Sequence, residues 1–239
     1  MPLAIFDLDE TLVSGDCSSR FCEYLQRTGL VEGNDFIQRE RELMDDYHHQ
    51  RLSMADYIEF LLAPLAGLSV TQVDALMPAF VERWIRPRIY PQALSTLMEH
   101  RRAGDRILII SASAEFIVRA VAQDLGVDDV LAIDLEQTDQ QRYDGRIRGI
   151  PSYREGKVQR LQQWISQQGE SLAGATFYSD SINDRPLMEL VDHPVATNPD
   201  PLLAELACQR GWAVLDWTQL QQPKQASAVV PQLSTYTGT

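Results

Sequence analysis

Apolar residues along the chain follow two different rhythms. Leu3 to Phe6 is a short apolar run that breaks into Asp7-Leu8-Asp9-Glu10-Thr11-Leu12. This is the pattern of a buried strand whose C-terminal end opens on polar chemistry. Over 17–85 the apolar positions instead recur every three, four and seven residues: Phe21, Tyr24, Leu25; Phe36, Ile37, Met44, Tyr47; Tyr57, Ile58, Leu61, Leu62; Val73, Leu76, Met77, Phe80, Trp84. That spacing predicts helices. Ser53 and Thr71 stand in N-cap regions, and Gly29, Gly33 and Gly67 stand where helices stop. A helical stretch of this length exceeds what a right-handed crossover between strands needs, so it predicts an inserted helical module over 15–87.

After Pro87 and Pro91 strands and helices alternate. The pattern predicts a helix over 91–102 stopped by Gly104, then a strand over 106–110 running into Ser111-Ala112-Ser113. A helix over 114–125, a strand over 130–135 and a hairpin marked by Asp144-Gly145 follow. Next come a helix over 156–167, a strand over 175–178, a helix over 184–191, a strand over 194–197, a helix over 201–210 and a strand over 212–215. Such alternation with short loops means an α/β fold: a doubly wound parallel sheet covered on both faces. The expected core is 1–14 with 88–220, the expected cap is 15–87, and the polar stretch 221–239 is an expected flexible tail.

Composition narrows the class. The 239 residues give room for one core with an insertion. No apolar stretch nears the ~20 residues of a membrane span. No signal peptide is expected, because a basic n-region is missing and Asp7 precedes any apolar h-region. Cys17, Cys22 and Cys208 lack metal-ligand spacing and read as reduced packing thiols of a cytoplasmic protein. The net charge of -13 argues against nucleic acid and anionic membrane as partners. It also means that an anionic substrate needs local cations.

The chemistry concentrates at the predicted strand ends. Strand alternation puts Asp7 and Asp9 on one side, where two carboxylates repel unless a cation lies between them. A hard divalent ion such as Mg2+ suits oxygen ligands of this kind, and an acidic turn is the plainer alternative. Ser111, Lys157 and the pair Asp180 and Asp184 stand at or beside the other strand ends. Taken singly, Ser111 reads as a helix cap, Lys157 as a solvated lysine, and Asp180 and Asp184 as turn and cap residues. Together they are what phosphoryl transfer requires: a nucleophile, a cation and clamps for oxygen. His48 and His49, adjacent on a helix and so about 100° apart, read as solvated residues rather than a metal pair.

Asp7-Leu8-Asp9-Glu10-Thr11, Ser111, Lys157 and Asp180-Ser181-Ile182-Asn183-Asp184 resemble, in order, the four motifs of the haloacid dehalogenase superfamily. The resemblance runs from residue 3 to about 217. It is closest to the phosphatases with a helical cap after the first motif, the branch that contains phosphoserine phosphatase. Gly15-Asp16, the run from Tyr153 to Val158 and the run from Pro194 to Asp200 look like a bacterial subgroup of that branch, some of whose members are described as histidinol-phosphate phosphatases.

The resemblance implies a Rossmann-like core, Mg2+ as cofactor, a small phosphorylated metabolite as partner, and an aspartyl-phosphate route. Asp7 is then the nucleophile, and Asp9 the general acid and base. Asp7, Asp180 and the main-chain carbonyl of Asp9 are the metal ligands. Ser111, the Ala112 N–H at a helix start and Lys157 hold phosphate, with Asp184 and Thr11 behind them. Asp16 lies where phosphoserine phosphatases carry a Glu that contacts the substrate amine, and it reads equally well as an N-cap. The cap arginine that those enzymes use for the substrate carboxylate has no clear counterpart here: Arg51 comes early, and no basic residue occurs over 53–67. That favours histidinol phosphate over phosphoserine. A phosphotransferase on the same scaffold, a non-catalytic phosphate-binding regulator and a dehalogenase are the rivals.

Overall fold

The computed structural model describes residues 1–49 and 51–218. Its centre is a six-stranded sheet of order β3-β2-β1-β6-β7-β8. The strands are β1 (Leu3–Phe6), β2 (Arg106–Ala114), β3 (Asp129–Ile133), β6 (Thr176–Ser179), β7 (His193–Thr197) and β8 (Ala213–Leu215). Every pairing in this sheet is parallel. β1 lies between β2 and β6, with Ala4 opposite both Ile107 and Thr176. All four of its residues are buried, which is why it reads as an unbroken apolar run.

Side-chain alternation divides the core into two layers. Ala4, Phe6, Ile107 and Ile109 face α5 (Pro91–Ala103) and α6 (Glu115–Leu125). Leu3, Ile5, Leu108 and Ile110 face α7 (Glu155–Gln168), α8 (Arg185–Met188) and α9 (Pro201–Arg210). The winding reverses between β1 and β6, and crevices at such switch points are where these sheets bind ligands. The architecture is therefore the expected Rossmann-like α/β sheet.

Between β1 and α5 the chain forms α1 (Cys17–Arg27), α2 (Asp35–His48), α3 (Met54–Leu62) and α4 (Val70–Phe80), with no named strand among the described residues. Ser53 caps α3, whereas Ser69 rather than Thr71 caps α4, through a capping box with Gln72. Pro78 lies inside α4, where it withholds an amide, and the helix widens into a π-helical turn over Val81–Ile85. Phe21 stacks edge-on against Phe80 at 5.2 Å and against Phe116 of α6 at 5.4 Å. The aromatic stripes are thus core, continuous with one layer of the sheet.

The two connections to this insertion run side by side. Ser14 N–H donates to Arg88 O at 2.8 Å, and Tyr90 N–H donates to Leu12 O at 3.1 Å. Among the described residues no single helix is long and apolar enough to cross a membrane. A bent pair, Met54–Leu65 with Val70–Arg88 at 92°, passes together. Its Ile58, Leu61, Leu65, Val73 and Phe80 are buried in the core just described.

Several expected elements are corrected. The strand expected over 130–135 divides at Asp134: β3 stays in the main sheet, and β4 (Leu135–Gln137) pairs antiparallel with β5 (Tyr143–Ile147). The turn of that hairpin is not Asp144-Gly145. It lies at 138–142, where Gln141 N–H donates to Thr138 O at 2.9 Å. Gly145, at φ +86, sits where the β4–β5 register shifts, so the Asp-Gly signal marks a bulge. β2 runs to Ala114 and α6 begins at Glu115, so Ala112 is extended backbone rather than a helix start. The helix expected over 184–191 contracts to a 3-10 turn (Ile182–Asp184) followed by α8. The expectation for 221–239 lies outside the described residues.

Candidate active site

The site is built at the C-terminal ends of β1, β2 and β6. Asp7 leaves β1 with its N–H on Tyr178 O at 2.9 Å. The chain then curls, with Leu12 N–H on Leu8 O at 2.8 Å, so strand alternation does not govern Asp9. The two acids are engaged separately. Asp7 Oδ1 accepts from Lys157 Nζ at 2.7 Å. Asp9 Oδ1 accepts the Cys17 N–H at 2.7 Å, and its Oδ2 accepts the Ser113 hydroxyl at 2.8 Å and the Ser111 hydroxyl at 3.2 Å.

Lys157 reaches Asp7 because of the turn that precedes it. Gly156 has room for no side chain: a Cβ there would meet Pro151 O at 2.0 Å. Arg154, at φ +52, reverses the chain into α7, and its Nε donates to Asn183 Oδ1 at 3.2 Å. The Lys157 ammonium, 2 % exposed, also lies 2.7 Å from Asp184 Oδ2. The Ser179 hydroxyl donates to that same oxygen at 2.7 Å. Asp180 accepts the Thr11 hydroxyl at 3.0 Å on Oδ1, which ties β6 to the curl after β1.

One buried cation serves several buried acids. Burial pushes the Asp7 carboxyl up to about 7, Lys157 pulls it down, and Asp184 and Asp9 add to the rise. Burial also lifts Asp180 well above the usual carboxylate range, with Asp7 and Asp184 contributing. For Lys157 burial acts downward, but Asp184 and Asp7 outweigh it and hold the ammonium charged. With one ammonium among them these carboxyls resist ionising together, and a divalent cation with oxygen ligands would let them do so. Among the described residues no three acidic, His or Cys side chains form a ready cage. Two carboxylates and one main-chain carbonyl make a different donor set, and the Asp9 carboxylate is committed to Cys17, Ser111 and Ser113. The donor chemistry of Asp7, Asp180 and the Asp9 carbonyl fits Mg2+ on those grounds.

A cavity of about 700 Å³ opens on these groups. Asp7, Asp9, Asp180, Ala112 and Ser113 line its sheet end, and Asp16, Glu40, Met44, Tyr47 and Tyr57 line its helical side. Ser111, Lys157, Thr11 and Asp184 are buried behind the wall. Ser111 caps nothing; the N-cap of α6 is Ala114, without a side-chain bond. Asp16 does cap α1, accepting the Ser19 N–H at 2.7 Å, and burial pushes its carboxyl up to about 8. His49 lies at the exposed end of α2, near Asp45.

Three of the groups that hold the acids are absent from the sequence expectations. Ser113 had a signal, since it shares a strand face with Ser111. Ser179 stood directly before Asp180. The Cys17 N–H had none, because a backbone amide leaves no trace in the residue pattern.

The family model for haloacid dehalogenase-like hydrolase matches residues 4–189. A histidinol-phosphatase of Neisseria meningitidis serogroup C (strain 8013) is 39% identical over 218 residues, covering 90% of this chain and 98% of its own. A crystal structure of a protein of unknown function from Bordetella pertussis Tohama I aligns with a TM-score of 0.83 at 39% identity, covering 90% of this chain and 98% of that one. A substrate-bound phosphoserine phosphatase shares the fold, with a TM-score of 0.65 at 17% identity over 90% of this chain and 92% of its own. With motifs in order, sheet topology and family model all agreeing, the chain belongs to the haloacid dehalogenase-like hydrolases.

Proposed function

We propose that this hydrolase is a Mg2+-dependent phosphatase that acts on a small amine-bearing phosphate ester through an aspartyl-phosphate on Asp7. The observation that carries the reading is the buried Lys157 bridging Asp7 and Asp184 at 2.7 Å each, directly behind the wall that Asp7 and Asp180 present to an open cavity. A structural ion pair has no need of a third acid or of access to a cavity. Asp7, Asp180 and the Asp9 carbonyl would hold Mg2+, whose charge offsets that of the phosphoryl oxygens. Ser111, the Ala112 N–H and Lys157 hold the remaining phosphoryl oxygens. Asp184 orients Lys157, and Thr11 orients Asp180.

In the first step an Asp7 oxygen attacks phosphorus, and the bond to the alcohol oxygen breaks with its electron pair on that oxygen. The Asp9 carboxyl delivers the proton that neutralises it. In the second step Asp9 removes a proton from water, which attacks phosphorus and releases phosphate and the Asp7 carboxylate. Ser111 and Ser113 suit this exchange, because a hydroxyl can donate to a carboxylate or accept from a carboxylic acid. The Cys17 N–H can only donate, so the proton resides on Oδ2 of Asp9.

The leaving alcohol carries an amine that Asp16 receives, and histidinol phosphate is the preferred substrate. The name of the Neisseria relative supports this, as does the absence of a basic residue over 53–67 for a substrate carboxylate. Phosphoserine is the alternative. The helices over 15–87 act as a cap that opens for substrate and then excludes water. Its hinges lie at the paired connections near Ser14-Gly15 and Arg86-Pro87. Phosphate release from a panel of esters with Mg2+ tests the reading, and release from none would overturn it. Transfer to added alcohols in place of water would make the enzyme a phosphotransferase.

A further inference from the structure

Glu40 on α2 and Tyr57 on α3 take no part in the phosphoryl chemistry, yet both line the same cavity. Glu40 is 6% exposed, and a carboxylate so withdrawn from water usually has a cation beside it. Among the described residues it has no ion pair. Arg41 and Arg20 act on it only at longer range, and its close contact is the Ser19 hydroxyl, which donates to Oε1. The Ser19 N–H holds Asp16 Oδ1 as well, so one residue sets the two carboxylates side by side. Ser19 is thus the hydrogen-bonding neighbour that both carboxylates share.

Tyr57 supplies an independent observation. Its side chain is 4% exposed, and its buried hydroxyl has no hydrogen-bond partner among the described residues. The neighbouring Ser18 hydroxyl acts on it weakly and spends its proton on Ser113, at 3.1 Å. Both Asp16 and Glu40 lie close enough to Tyr57 to act on it electrostatically. A buried hydroxyl without a partner is costly unless a ligand completes it. Adjacent buried carboxylates, both pushed up by burial, are likewise relieved by a cation.

We infer that Glu40 and the Tyr57 hydroxyl form a subsite for a second cationic or N–H-bearing nitrogen on the leaving alcohol, separate from the amine at Asp16. The inference rests on the phosphatase reading and narrows it. The substrate class becomes phosphate monoesters of amino alcohols with a further basic nitrogen, such as an azole or a second amine. Glu40 accepts from that nitrogen, and Tyr57 donates to it or accepts from it according to its protonation.

The test compares kcat/KM with Mg2+ for p-nitrophenyl phosphate, 2-aminoethyl phosphate and histidinol phosphate in wild type, Glu40→Gln and Tyr57→Phe. The ratio of histidinol phosphate to 2-aminoethyl phosphate should fall about 10- to 100-fold in Glu40→Gln, chiefly through KM, as expected for a lost charge-assisted hydrogen bond. Tyr57→Phe should lower the ratio about 3- to 10-fold, the range for a neutral hydrogen bond, with little change in Tm because no well-formed hydrogen bond to the protein is lost. Equal losses on all three esters, or an unchanged ratio in both variants, overturn the subsite while leaving the phosphatase reading intact. A wild type inactive on every ester overturns both.

Discussion

The Ser113 hydroxyl donates to Asp9 Oδ2 at 2.8 Å, and this bond gives the second acid of the first motif its own environment. Asp7 faces a buried ammonium; Asp9 faces two hydroxyls and an amide. Carboxylates two residues apart thereby acquire different partners, the condition under which one serves as nucleophile and the other handles protons.

Ser113→Ala should therefore lower kcat about 10-fold, the cost of one hydrogen bond to a charged group. KM should change little, because Ser113 acts on Asp9 and not on the phosphate. Steady-state kinetics on p-nitrophenyl phosphate measures this, and an unchanged kcat would leave the hydroxyl without a catalytic part.

Lys157→Met leaves Asp7 and Asp184 buried without their shared ammonium. Breaking a buried pair by removing one partner costs roughly 3–5 kcal/mol. Urea unfolding should show a loss of that order, and turnover should fall at least about 100-fold, as when an oxyanion clamp is removed. Wild-type stability in this variant would mean that the two carboxylates find another cation.

Mg2+ should raise the Tm of the wild type, and chelation should abolish turnover reversibly. At 100 times its Kd a ligand stabilises the native state by about 2.7 kcal/mol. In Asp180→Asn the Tm shift at the same Mg2+ concentration should shrink or vanish. An equal shift in variant and wild type would remove Asp180 from the metal site.

Gly156→Ala should damage both stability and activity. The added methyl meets Pro151 O at 2.0 Å, and backbone must move to admit it. Overpacking of this kind costs about 1–3 kcal/mol, and the shift is transmitted to Lys157 one residue on. A Tm within a degree of wild type would show that the turn has slack.

Much of the molecule follows from local sequence alone. The 201–210 helix is bounded as its Asp200 cap and Pro201 dictate, and β1 is buried on both faces as its unbroken apolar run requires. The order of Asp7, Ser111, Lys157 and Asp180 was enough to indicate one site, because parallel strands present their C-terminal ends at one edge of the sheet. Local preference also placed the Asp-Gly pair at a special backbone position. It could not distinguish a turn from a bulge, since both need a residue at positive φ and only the register against β4 separates them.

Tertiary structure alone decided which group holds which. Thr11 meets Asp180 across 169 positions, and Ser113 meets Asp9 across 104. Periodicity records which face of an element is buried but not the partner waiting there. The same limit hid the Glu40 carboxylate on α2 and the Tyr57 hydroxyl on α3, which helical spacing treats as ordinary surface and core. Folding sets them, with Asp16, around one cavity, because only packing brings separate helices within reach of a common ligand.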